Sequence, residues 1–165
     1  MLSLNSAVSN TLVARSLQSR TTKVIGGLLL LTSLTNVASA TDPKTVADNI
    51  LGAAIPALQT QMASMSQGCS GGSNGLPPVN WGALQVHGNA AVNAWSQART
   101  ALATGQTPVA VQLINSGLSE LDVLVNGLHL SCSGGSNGED PVYYGRYMAF
   151  RDNLKTELQT VVQFL

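Results

Sequence analysis

Seven consecutive residues occur twice in this chain. Cys69–Gly75 and Cys132–Gly138 both read CSGGSNG, 63 positions apart. The correspondence continues at the same offset through Pro78/Pro141, Val79/Val142 and Gly82/Gly145. Trp81 is matched by Tyr144, one aromatic for another. Apolar register holds on both sides: Leu51/Ile114, Ile55/Leu118 and Leu58/Leu121 upstream, and Ala91/Leu154, Trp95/Leu158 and Leu102/Leu165 downstream. An identical string with preserved apolar register predicts a duplicated unit, each copy being two segments joined by one glycine-rich loop.

The segments read as helices. Leu84, Ala91, Trp95, Ala98 and Leu102 fall at steps of seven, four, three and four, as do Tyr147, Leu154, Leu158, Val161 and Leu165. That spacing lines one helical stripe and excludes strand alternation. Val109, Leu113, Ile114, Leu118, Leu121, Leu124, Val125 and Leu128 give the third segment a wide buried face. Asp42-Pro43 and Thr107-Pro108 are N-cap signals followed by proline at the first helical position. Gly105 suits the left-handed residue that ends a helix. Four helices are expected, at about 43–67, 79–104, 108–131 and 142–165, with Pro56 bending the first. Equal lengths and short connections suit an all-α, up-down-up-down four-helix bundle, with repeats over about 43–104 and 108–165. Both CSGGSNG loops then lie at one end, where Cys69 and Cys132, the only cysteines, form a disulfide.

Residues 1–40 read as a secretory signal peptide. Arg15, Arg20 and Lys23 precede the apolar run Val24–Leu31, and Ala38-Ser39-Ala40 is a small-residue cleavage site. The run is shorter than the roughly 20 residues of a membrane span. The domain at 41–165 is therefore expected in the periplasm or outside the cell, where disulfides persist. It carries five basic and eight acidic residues, a net charge of −3. No basic patch recommends nucleic acid as a partner, and no second apolar segment is long enough to span a membrane.

Chemistry-bearing residues gather at the loop end. His87, His129, Cys69 and Cys132 are the ligand types of a zinc site, and the thioethers of Met62 and Met65 would suit copper. No tight ligand spacing such as C-x₂-C accompanies them. His87 aligns with Phe150 in the other repeat and is expected to fill a core position, and the methionines to fill gaps between helices. The glycine-rich loops lack the lysine of a phosphate-binding loop. No nucleophile elbow is present, and Glu139 and Asp140 are expected to cap the fourth helix. Trp81, Tyr143 and Tyr144 form the candidate contact surface. The expected function is thus a non-enzymatic exported binding protein without cofactor. Its alternative is a periplasmic copper- or zinc-binding protein using His87, His129, Cys69, Cys132, Met62 and Met65.

Overall fold

The computed structural model describes residues 42–70, 75–133 and 138–165, so the signal peptide expected over 1–40 lies outside the described residues. Four helices are present: α1 (Pro43–Met65), α2 (Trp81–Ala103), α3 (Thr107–Asn126) and α4 (Tyr144–Val162). Among the described residues there is no strand, only the isolated bridges Cys69–Leu76 and Cys132–Glu139. The chain is all-helical, with α1 and α3 each packed against both α2 and α4.

Local chemistry sets the helix ends. The Asp42 side chain accepts the Lys44 N–H at 3.4 Å, and Pro43 fills a first-turn position. Gly105 takes φ of 75° after α2, as expected of a helix terminator. Three boundary expectations are corrected. Thr107 is the first residue of α3 and Gln106 occupies the cap position, because Gly105 already turns the chain. The third helix stops at Asn126 and not Ser131. Gly127 keeps a helical conformation, with φ of −69°, and the chain leaves the helix through turns that run to Leu130, whose φ is 52°. Residues 79 and 142 precede their helices because their N–H groups bond across to the opposite loop. Pro56 lies inside α1 without breaking it. It is exposed, and its missing N–H leaves one helical hydrogen bond unmade.

The predicted stripes form the core. Leu84, Ala91, Trp95, Ala98 and Leu102 are buried, as are Tyr147, Leu154, Leu158 and Val161. Val109 departs from its predicted buried face and is exposed, since it sits on the first turn of α3 beyond the packed stripe. The α2–α3 pair shares the most extensive interface. Glycine makes this possible: the indole of Trp95 lies where a Cβ on Gly117 would be. The indole N–H donates to the Ile114 carbonyl at 3.3 Å, so the one polar atom of this fully buried ring is satisfied.

Contacts recur at the offset of the duplicated string. Leu84 on α2 meets Gly127 just after α3, and 63 positions from each stand Tyr147 and Ser64, whose hydroxyls hydrogen-bond at 3.0 Å. The larger ring faces a residue with room for a hydroxyl, while the smaller leucine fills the space over glycine. Burial is the chief reason the Tyr147 phenol is held above its ordinary pKa, partly offset by its bond to Ser64. A phenol raised in the folded state contributes stability below the unfolded value of about 10 that is lost as pH rises through the folded value. Thermal melts from pH 8 to 11 should therefore show the wild type losing stability faster than Tyr147→Phe; parallel curves would remove this account.

Candidate interaction site

The disulfide end is built from the flanks of two loops with matching backbone hydrogen bonds around the cysteines. Cys69 and Cys132 are bonded, with Cα atoms 5.4 Å apart. Cys69 exchanges two backbone hydrogen bonds with Leu76, both at 2.9 Å, and Cys132 does the same with Glu139, at 2.9 and 3.0 Å. The loops also hold each other. The Val79 N–H donates to the Ser131 carbonyl and the Val142 N–H to the Gly68 carbonyl, each at 2.8 Å. Gly75 and Gly138, the last residues of the two strings, adopt φ of 63° and 73°. A Cβ there would strike the carbonyl oxygens of Gln67 and Leu130 respectively. The outer residues of CSGGSNG thus have positional reasons: cysteine for the cross-link and glycine for a left-handed turn against a carbonyl.

The side chains on this frame differ between the loops. The Asp140 carboxylate accepts the Leu130 N–H at 2.7 Å and pairs with His129 Nδ1 at 2.9 Å. It therefore does not cap α4, whose cap position is Tyr143, with no side-chain bond. Asp140 instead fixes Leu130, which has φ of 52°. His129 stacks on Tyr144, with ring centroids 5.7 Å apart. Tyr143 is 50 % exposed, with the Arg146 guanidinium 5.0 Å from its ring centroid. Of the predicted aromatic surface, Tyr143 is open, whereas Trp81 and Tyr144 are half-buried against the core.

The residues of the metal alternative take separate positions. Both cysteines are in the disulfide, and Met62 and Met65 are buried, with Met62 seated over Gly88. His87 is not the core residue expected from its alignment with Phe150. Its ring is 39 % exposed and its Nδ1 lies 2.6 Å from Glu120 Oε2 on α3, because an ionisable ring beside a carboxylate is better placed at the helix–helix rim than in an apolar centre. Among the described residues no group of three or more His, Cys, Asp or Glu side chains is placed to hold a metal ion.

Some exposed residues escaped the sequence reading. Val79 and Val142 are 78 % and 64 % exposed, and Leu76 and Leu130 are exposed as well. A shallow groove of about 430 Å³ runs between Val79, Asn80, Gly127, Leu130 and Ser131. The signal was present in the primary structure: these apolar residues lie outside every helical stripe. No Asp, Glu, Lys or Arg occurs from residue 49 to 98, between Asp48 and Arg99. A larger groove, about 620 Å³, flanks Asp48 and Arg99 where α1 begins and α2 ends. Within it Asp48 and Arg99 pair with each other. Arg99 donates to both carboxylate oxygens of Asp48, at 2.7 and 3.1 Å, and this bonding holds the Asp48 carboxyl below its ordinary pKa.

Among the described residues no helix is long and apolar enough to cross a membrane. Comparison with protein-family models, curated proteins and solved structures finds no match to this chain.

Proposed function

We propose that this chain is an exported, non-enzymatic interaction protein that engages its partner through the disulfide end. In this reading a signal peptide precedes an up-down-up-down bundle made of a duplicated helical hairpin. The alternating direction is supported by Asp48 near the start of α1 meeting Arg99 near the end of α2, and by Ser64 near the end of α1 meeting Tyr147 near the start of α4. Duplication is supported by paired bridges and paired cross-loop bonds at the same offset of 63. Export is supported by the disulfide, which persists in oxidising compartments.

One observation carries the docking reading. Tyr143, Val79 and Val142 are exposed on loops that a disulfide and reciprocal backbone bonds hold in place. Exposed apolar groups on a fixed frame lose little entropy on binding, and an aromatic beside an arginine is the residue pairing favoured at interface centres. A photo-reactive amino acid placed at position 143 in the native host should give one discrete adduct. Val79→Ser with Val142→Ser should abolish it, and the same probe at exposed Gln97 should give none. A smear shared by both positions, or no adduct, would defeat the reading.

A further inference from the structure

The offset of 63 relates two helix pairs, since α2 moved forward gives α4 and α3 moved back gives α1. Yet α2–α3 is the most extensive interface, and the two that hold α4 are the least. Gly117 and Gly127 let α2 lie close on α3, whereas Ala54 and Ser64 carry Cβ atoms at the equivalent places. Four residues of α4 are buried, against eight of α2. The polar links of α4 to other helices end at Lys155: Tyr147 bonds Ser64 on α1, and Arg151 and Lys155 pair with Asp122 on α3. Beyond Lys155, among the described residues, no α4 side chain bonds another helix, and the Thr156 and Thr160 hydroxyls turn back to carbonyls of α4 itself. Glu157 stands in this unlinked part. It is half-buried beside the buried Leu154, Leu158 and Val161, and burial alone holds its carboxyl above the ordinary pKa. No charge offsets that burial. On α1, Lys44 makes no bond to it and Asp48 pairs with Arg99; on α3, Glu120 and Asp122 pair with His87 and Lys155.

We propose that residues 154–162 open as one segment, parting from α1 and α3 while the rest of the bundle stays folded, and that the charge on Glu157 sets how often they do so. Closed, the carboxylate is partly stripped of water; open, it is hydrated again. The neutral acid therefore favours the closed form. Its contribution is complete below the ordinary carboxylate range and is lost as pH rises through the value in the closed form. Opening uncovers the apolar side chains of α1 and α3 on which the segment rests, so an apolar face is offered at neutral pH and withdrawn in acid. The start of α4 stays anchored by the Tyr147–Ser64 bond and by the Val142 N–H on the Gly68 carbonyl. The Cys69–Cys132 bond precedes α4 in the chain and survives the opening.

The test is residue-resolved hydrogen exchange by NMR on the purified, disulfide-bonded protein. Near neutral pH the amides of residues 158–162 should share one protection factor, at least ~10-fold below those of the buried turns of α2 and α3. Glu157→Gln, which keeps the shape and removes the charge, should raise that shared factor at least ~3-fold near pH 7, and the gain should shrink near pH 4. Simple fraying predicts otherwise: protection would fall residue by residue, and the last amides would exchange without exposing position 157, so they would ignore the substitution. Graded protection of that kind, protection equal to that of α2 and α3, or a Glu157→Gln gain that is absent or independent of pH would each overturn the proposal. These measurements need no partner, so they succeed or fail independently of docking at Tyr143.

Discussion

Replacing Cys69 and Cys132 together by serine should lower the unfolding free energy by about 4 kcal/mol, the loop-closure value for a cross-link spanning 63 residues. The effect acts chiefly on the unfolded chain, which regains the freedom the bond removed. The native end keeps its other restraints: the Cys69–Leu76 and Cys132–Glu139 backbone bonds and the two cross-loop bonds from Val79 and Val142. Helical circular dichroism should therefore be unchanged at low temperature while the urea midpoint falls. The denaturant dependence should steepen, because an unlinked chain exposes more surface when it unfolds. A midpoint displaced by less than the equivalent of about 1 kcal/mol would mean that the loops are held equally close in the unfolded state.

The second large effect belongs to Trp95. Truncation to alanine should cost about 3–5 kcal/mol, since the ring is fully buried and its removal also leaves the Ile114 carbonyl without the indole donor. The more telling experiment uses its neighbour. Gly117→Ala alone places a Cβ into the indole, a rigid group that cannot step aside, and should cost about 1–3 kcal/mol. The positions 63 residues from this pair hold Leu158 and Ala54, both buried. Trp95→Leu combined with Gly117→Ala therefore recreates a pairing of sizes found elsewhere in the same core. The double variant should be more stable than the sum of its parts predicts, by about 1 kcal/mol or more. Additive losses would show that the two sites do not share one packing constraint.

Much of the architecture was legible because it depends on neighbours in sequence. The helical stripes, the proline starts and the left-handed Gly105 follow from local backbone geometry, and they stand within a few residues of expectation. The cysteine pairing was legible because two cysteines allow one partner each. The buried methionines followed from their place on an apolar stripe. The candidate site was legible only as a neighbourhood. Trp81, Tyr143 and Tyr144 all belong to the disulfide end, but Tyr143 alone of the three is exposed.

What tertiary structure decided are contacts between residues distant in the chain. Asp140 looked like a helix cap and instead secures Leu130, ten residues earlier, because the loop closure brings that N–H to it. His87 looked like a core residue and instead pairs with Glu120, because the closeness of α2 and α3 is set by the absence of side chains at Gly117 and Gly127. Hydrophobicity alone gives Val79, Val86 and Leu84 much the same value. Leu84 on the helical stripe is buried, whereas Val86 on α2 and Val79 in the turn before it are left exposed. By itself the sequence set which stretches become helices, since a stripe and a cap are local. Which apolar residues are left open to a partner is a property of how the four helices meet.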